Sequence, residues 1–298
     1  MTPEQVLSCR AKVLTQTQRE FYFAHGYLLL ERFVDADWIN RLNAVTGEVV
    51  EESRQVRKSD RKFDLEPDHR PDRPRLRRLS SPVDHHPLYW EFASKHPIGD
   101  VVADLVGPDV KYHHSKLNFK WSEGGAAVEW HQDINGWPHT NYSPLTVGTY
   151  LHDTGPEQGP LGVIPGSHQA ELFDHSNNQG QWTGKIDDKD LARVPLDKVI
   201  YLEGPAGSVT IHNCRLVHGS KPNLSGFGRP LLLNTFSSAD AFTYTPNPIP
   251  SPHEGEIIRG KRARWAHHDP RPCQIPPDWS GGYTSLFAIQ QEGKVAAY

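Results

Sequence analysis

His131 and Asp133 stand two residues apart in the run Glu129-Trp130-His131-Gln132-Asp133. In extended backbone, residues i and i+2 project from the same face. An imidazole and a carboxylate would then point into one space. Together they would make two members of the 2-His-1-carboxylate set that suits non-haem Fe(II). His-x-Asp recurs by chance in many chains, so the pair gains meaning only if other segments complete it.

A third ligand must come from elsewhere, and the best candidate is His218 in Val217-His218-Gly219-Ser220. The residues after it, Lys221-Pro222-Asn223-Leu224-Ser225-Gly226-Phe227-Gly228, are turn-forming throughout. They predict a fold-back into an antiparallel strand at 229–236. In such a hairpin His218 and Arg229 would lie opposite one another, with Cβ atoms about 5 Å apart. A guanidinium is a rigid fork suited to a carboxylate. A small dicarboxylate could chelate the metal at one end and rest its far carboxylate on Arg229. Taken singly, His218 reads as a core histidine and Arg229 as the partner of a protein acid. Their joint appearance downstream of His131 and Asp133 favours the site.

The elements that must position these groups are mostly short strands. The chain has 298 residues, 36% hydrophobic content, 25 Pro and 24 Gly, which favours a loop-rich β fold over a helical bundle. The formal charge of −4 gives no general pull toward nucleic acid or membrane. Cys9, Cys214 and Cys273 are odd in number and far apart, which suits a reducing, cytoplasmic setting rather than a disulfide framework. No apolar signal core or run of 18 apolar residues occurs.

Along the chain, residues 1–53 read as a helical lead-in. Thr15 with Gln18 forms a capping box, Gly26 ends the helix, and a short buried strand covers 27–30. Asp35 caps a second helix whose apolar stripe is Trp38, Leu42, Val45 and Val49. Residues 54–78 hold ten Lys/Arg against five Asp/Glu, interrupted by Pro67, Pro71 and Pro74. This run reads first as a solvated loop and, more sharply, as a lid that carries cations to an anionic substrate. One helix is expected over 87–105. Strands follow at 110–121, where Lys116-Leu117-Asn118-Phe119-Lys120-Trp121 alternates before a break at Gly124-Gly125, and at 145–151, 162–164, 199–202, 207–212 and 229–236. Short strands between Gly/Pro turns suggest a sandwich or barrel. Residues 171–198 read as a polar insert. Asn135, Trp137, His139, Asn141 and Tyr142 read as a loop over the site mouth. There Trp137 would enclose a substrate while His139 and Asn141 offer hydrogen bonds.

With these pieces in place, the chain resembles the phytanoyl-CoA dioxygenase family of Fe(II)/2-oxoglutarate-dependent oxygenases. The likeness rests on Trp130-His131-Gln132-Asp133, on Gly159-Pro160-Leu161-Gly162-Val163-Ile164-Pro165-Gly166-Ser167-His168, on His218-Gly219-Ser220 and on Arg229. The stretches 21–33 and 285–287 are also similar. The resemblance implies a mainly β fold with flanking helices and a double-stranded β-helix (jelly-roll, cupin-like) core. One domain would span 1–298, with a lead-in at 1–53, a basic lid-like loop at 54–87, the core at about 108–240 and a tail at 241–298.

The resemblance further implies Fe(II) on His131, Asp133 and His218, with 2-oxoglutarate as co-substrate and O2 as oxidant. The far carboxylate of 2-oxoglutarate would meet Arg229 and Ser220. Lys116 and Thr149 would border the co-substrate. Relatives often carry a larger residue at 149, so Thr149 would leave room. Glu129 stands where many relatives carry an uncharged residue; its charge would oppose a chelating carboxylate unless it points away, so it is not counted as a co-substrate ligand. The implied reaction oxidises an unactivated C–H, usually to a hydroxyl, and releases succinate and CO2. Halogenases of this broad fold have Gly or Ala at the carboxylate position, so Asp133 argues against halogenation. The expected partner is a small molecule, whether anionic, acyl or natural-product-like, acted on by a monomer or homodimer. Two other readings remain at this point. One is a non-catalytic metal-binding jelly roll; the other is a cupin-type metal isomerase or hydrolase.

Overall fold

The structure, a computed structural model, describes residues 1–122, 125–280 and 285–293. Gly124 of the expected Gly-Gly break lies outside the described residues, as does the end of the tail. After α1 (Pro3–Ser8), Thr15 caps α2 (Gln16–His25), and its hydroxyl accepts from Gln18 N. Gly26 ends the helix at φ 83°, a left-handed conformation that costs glycine little. Then come β1 (Tyr27–Leu30) and α3 (Ala36–Glu52), whose cap Asp35 accepts from Trp38 N at 2.9 Å.

The basic run departs from the expected loop. It contributes β2 (Phe63–Leu65) and β3 (Leu76–Ser80), which pair with one another and extend a large sheet. Its arginines are placed by strand alternation and by nearby acids. Arg75 Nε lies 3.3 Å from Asp68 and Arg77 Nε lies 3.5 Å from Glu66, while Arg78 lines an internal cavity.

The helix expected over 87–105 is two helices, α4 (Pro87–Lys95) and α5 (Ile98–Val106). Pro97 explains the break. A proline disfavours helical backbone in the residue before it, and His96 is extended at ψ 149°.

The remaining elements are β4 (Val110–Asn118), β5 (Val128–His131), β6 (Leu145–Tyr150), β7 (Leu161–Val163), α6 (Asp188–Leu191), β8 (Ile200–Leu202), β9 (Val209–Asn213), β10 (His218–Ser220), β11 (Leu231–Ser238), β12 (Ile257–Arg259) and α7 (Leu286–Glu292). They form two antiparallel sheets. The major sheet runs β1-β9-β6-β11-β4-β3-β2, with β12 also on β4, and the minor sheet runs β5-β10-β7-β8. Two facing sheets with flanking helices are the expected jelly-roll core, although β1, β2 and β3 carry the major sheet beyond 108–240.

Strands β3, β6, β9 and β11 of the major sheet are buried on both faces. Leu79, Leu117, Val147, Ile211 and Leu232 pack under α3, α4 and α5, against Leu42, Phe92 and Val102. The opposite face looks toward the minor sheet and carries the polar groups described below. Among the described residues no helix is long and apolar enough to cross a membrane.

The expected hairpin does not form. His218 lies on β10, between β5 and β7 of the minor sheet, whereas β11 lies between β4 and β6 of the major sheet. Turn chemistry at 221–228 reversed the chain but did not choose its pairing partner. The reversal carries the backbone from one sheet to the other, so His218 and Arg229 face one another across the sandwich rather than along a ladder.

Candidate active site

The minor sheet sets the two histidines. His218 pairs with His131 on one side and Val163 on the other, and Gly219 pairs with Gly162. Those glycines sit under the Trp130 indole: a Cβ on Gly219 would lie 3.2 Å from Trp130 and 2.9 Å from Val128 O, and one on Gly162 would lie 3.2 Å from Trp130. Trp130 thus packs on the outer face, against Ile164 and Val217, and its neighbour His131 turns inward by strand alternation.

His131, Asp133 and His218 are all buried, and one ligand atom from each lies within 4.8 Å of the others. His131 Nε2 and His218 Nε2 are 3.7 and 3.9 Å from Asp133 Oδ1. These gaps are too long for direct hydrogen bonds and short enough for all three groups to share one ion. His131 Nδ1 donates to Glu129 O at 2.7 Å, and His218 Nδ1 donates to Leu216 O at 2.8 Å. Each backbone carbonyl therefore fixes the tautomer that leaves a bare Nε2 for a metal. Burial lowers His131 to about 4 and holds His218 well below the usual histidine range, so both are neutral ligands at pH 7. Burial alone would raise Asp133, but the Lys116 charge and the hydrogen bond from His212 outweigh it and keep the carboxylate ionised.

The other oxygen of Asp133 is held by the major sheet. His212 Nε2 is 3.3 Å from Oδ2, and the Thr146 hydroxyl donates to Oδ2 at 3.2 Å. Thr146 is 3.1 Å from Thr235, and Thr235 is 3.3 Å from His114 Nε2. Because Thr146 gives its proton to Asp133, it must accept from Thr235, which must in turn accept from His114. His114 Nδ1 is then bare and receives the Nδ1 proton of His113, 2.5 Å away. One direction of donation thus runs from β4 through β11 and β6 to the carboxylate.

Arg229 lies beyond the last bonds between β4 and β11. Its N–H donates to Lys120 O at 2.8 Å, and it accepts from Lys120 N at 3.2 Å. Arg229 is 3% exposed, and among the described residues its guanidinium Nε and Nη1 have no hydrogen-bond partner. Orphaned buried donors are costly, and a carboxylate entering the cavity would satisfy them. The Lys120 ammonium donates to Ser220 Oγ at 2.7 Å and to Lys221 O. Burial, then Arg229, holds Lys120 well below the usual lysine range. Ser220 accepts from Lys120, which leaves its own proton free to donate. Lys120 was not foreseen, yet it shares a face with Lys116 and Asn118 at spacing two, so alternation alone pointed to it.

A cavity of about 60 Å³ connects these groups, lined by His131, Asp133, His218, Lys116, Ser220 and Arg229 among others. Five of the expected site residues stand elsewhere or serve the scaffold. Thr149 is buried on the opposite face of β6, among the core under the helices. Period-two alternation turns Thr146, Gly148 and Tyr150 to the inner face instead; Thr146 lines the cavity, and a Cβ on Gly148 would lie 3.1 Å from Leu231. His139 lines a separate groove with Lys111 and His113 and donates from Nδ1 to Trp137 O. Asn141 donates to Asp240 and to His267 O, which ties down a loop. Asn135 donates to Phe173 O, and Tyr142 donates to Pro272 O. The segment after Asp133 begins with a helical turn, Asp133–Asn135, and not with extended chain. Its side chains therefore spread in several directions, and Trp137 alone of the expected substrate trio borders the metal cavity. Glu129 is exposed.

His175 and Trp182, from the polar insert, also border that space, as do Arg78 and Trp279. His175 Nε2 accepts from Gln132 N at 2.9 Å and so pins the backbone between the two ligands. No local sequence signal marks these four.

The donor set of two imidazoles and a carboxylate suits Fe(II), and the orphaned guanidinium opposite suits a dicarboxylate co-substrate. Comparisons with known proteins agree. The family model described as phytanoyl-CoA dioxygenase matches residues 22–231. The chain is 29% identical to a probable alpha-ketoglutarate-dependent hypophosphite dioxygenase of Stutzerimonas stutzeri, over 94% of this chain and 98% of that protein. It is 28% identical to the ectoine dioxygenase of Sphingopyxis alaskensis, over 68% and 69% of the two chains. Its fold matches the crystal structure of EctD from S. alaskensis with 2-oxoglutarate and 5-hydroxyectoine at a TM-score of 0.69, with 23% identity, over 88% and 93% of the chains. The chain belongs to the phytanoyl-CoA dioxygenase family, as an Fe(II)- and 2-oxoglutarate-dependent dioxygenase.

Proposed function

We propose that His131, Asp133 and His218 are the iron ligands, and that Arg229, Ser220 and Lys120 hold the far carboxylate of 2-oxoglutarate. Fe(II) with 2-oxoglutarate and O2 supplies the oxidising power, with succinate and CO2 as by-products. The protein's part is orientation, charge and exclusion of water. Asp133 Oδ1 faces the two Nε2 atoms because Oδ2 is engaged by Thr146 and His212. Arg229 offers two donors to one carboxylate, Ser220 adds a third, and Lys120 adds charge. Lys116 lines the same cavity. Leu161, Leu231 and Leu233 wall the cavity and keep water from the reacting groups.

The observation that carries this reading is the pairing of three convergent ligand atoms with an orphaned buried guanidinium in one cavity. The substrate is a small molecule. Hypophosphite, the substrate named for the relative matched over nearly its full length, is the first candidate, followed by ectoine and proline, named for other relatives. In an anaerobic titration of the Fe(II) protein, 2-oxoglutarate should produce a visible charge-transfer band. Admitting O2 with a substrate should then release one succinate per turnover. An iron-loaded protein that gives neither band nor succinate would refute the assignment.

A further inference from the structure

Two spaces meet at the triad and a third lies outside them. The co-substrate cavity, about 60 Å³, reaches Arg229 and Ser220. An inner lobe of about 40 Å³ leaves the same triad in another direction, past Trp137, His175 and Trp182. Next to the inner lobe is a vestibule of about 360 Å³, lined by Ser80 at the end of β3, by Ser81 and Asp84, and by Pro250 of the tail. Among the described residues, Pro248, Ile249 and Trp279 line both the inner lobe and the vestibule and do not line the co-substrate cavity. They form the wall between the vestibule and the triad.

The sequence makes this wall stiff. Pro246, Pro248, Pro250 and Pro252 alternate with Asn247, Ile249 and Ser251. Each proline fixes its own φ and biases the residue before it toward extended backbone, so the whole of 245–252 is restrained. Side chains then pin this strap on either side of Ile249. Asn247 Nδ2 donates to His113 O at 3.2 Å, and Asn247 Oδ1 accepts from Ile249 N at 2.9 Å. Ser251 Oγ donates to Asp84 Oδ1 at 2.6 Å. The Trp279 indole is fixed as well, because its Nε1 donates to Gly136 O at 2.8 Å. Ile249 is 5% exposed, yet among the described residues it belongs to none of the apolar core clusters. A buried isoleucine outside the core, on a pinned strap between two spaces, shapes the passage rather than the fold.

If 2-oxoglutarate fills the cavity that ends at Arg229, the substrate must meet the triad from the inner lobe, so this inference rests on the function proposed above. A volume of 40 Å³ is room for about three waters. Hypophosphite is of that size, and the rings of proline and ectoine are larger. We propose that Ile249 is a specificity-determining residue, which admits compact substrates to the inner lobe and holds ring-shaped ones in the vestibule. A fixed wall discriminates by clash and needs no contact with the accepted substrate. Trimming Ile249 would join the inner lobe to the vestibule and give a ring the room it lacks.

The test uses Fe(II) protein with 2-oxoglutarate under anaerobic conditions, so that binding is read without turnover. Hypophosphite, L-proline and ectoine are titrated in separate arms, and the visible band and tryptophan fluorescence are followed. Ile249→Ala should bind at least one of the two rings about tenfold or more tightly than wild type does, since one methylene in an apolar pocket is worth about 10–200-fold. Its 2-oxoglutarate affinity should change less than about twofold, because Ile249 does not line that cavity. Ile249→Val removes a single methylene and disturbs the fold least, and it should give a smaller gain of the same sign. Ile249→Phe should weaken hypophosphite about tenfold by narrowing the passage. Thermal unfolding and the intensity of the band identify the variants whose site is intact. The proposal is overturned if wild type binds either ring more tightly than hypophosphite. It is also overturned if the trimmed variants that form the band bind both rings no better than wild type, or gain them only by losing 2-oxoglutarate. In each of those cases the band itself survives, so the underlying function stands. Absence of the band from the wild-type protein removes the underlying function instead.

Discussion

The Lys120 ammonium reaches Ser220 Oγ at 2.7 Å and so bonds the major-sheet side of the cavity to β10 of the minor sheet, while the Lys120 backbone exchanges both of its hydrogen bonds with Arg229. It therefore does two things at once. It fixes the spacing of the sheets where the co-substrate clamp sits, and it places a second cation beside Arg229.

Removing that link should weaken the co-substrate more than the substrate. Lys120→Met should raise the KM for 2-oxoglutarate about tenfold or more, the worth of a charged hydrogen bond. Arg229→Lys, which loses the fork, should do the same. In wild type the KM should rise with pH at a lower pH than ordinary lysine titration would give, because burial depresses Lys120 and deprotonation removes its charge. Steady-state succinate release at several pH values checks both, and an unchanged KM would take the residue out of the clamp.

Asp133 depends on its second oxygen being held. Thr146→Val removes the donor to Oδ2 and breaks the sequence of bonds back to His113. Iron affinity should fall roughly 10–100-fold, as for other outer partners of metal ligands. Thr235→Val should have a smaller effect of the same sign. Competition with a chelator followed by absorbance measures both. Asp133→Ala should abolish turnover with the fold kept.

Gly219→Ala tests the outer face. Its new methyl would meet Val128 O at 2.9 Å and the Trp130 ring at 3.2 Å. Strand β5 must shift, at a cost of about 1–3 kcal/mol, and His131 shifts with it. Denaturant unfolding should show the loss, and the iron affinity should fall as well. A variant that is less stable but binds iron normally would show that Trp130 does not position His131.

Acid should unfold the protein through its buried neutral histidines. Burial lowers His96 and His139 to about 4 from an ordinary 6.5. The unfolded chain therefore takes up protons that the folded chain refuses. The stability from this source is complete above about 6.5 and is lost as pH falls from there toward 4, by up to about 1.4 kcal/mol per pH unit for each histidine. Metal-free protein should show the melting temperature dropping through that window, and His139→Gln should flatten the slope. An unchanged slope would mean that His139 is already charged when folded.

Much of this protein was legible from local chemistry. The caps at Thr15 and Asp35, the left-handed Gly26, most strand positions and the shared face of His131 with its carboxylate follow from spacing and side-chain type, which act over a few residues. The same rule of alternation held Lys120 as well as Lys116, and it turns Thr149 away from the face that carries Thr146. What local chemistry left open was which strands become neighbours. The turn at 221–228 reversed the chain, but only the packed sandwich, with helices on one sheet and Trp130 on the other, decided that His218 and Arg229 belong to opposite sheets. Arg78, His175, Trp182 and Trp279 came to the cavity the same way, from segments distant in sequence. Burial of both faces of a strand is a property of the whole fold, so the ligands were written in the sequence while the chamber around them was set by tertiary packing.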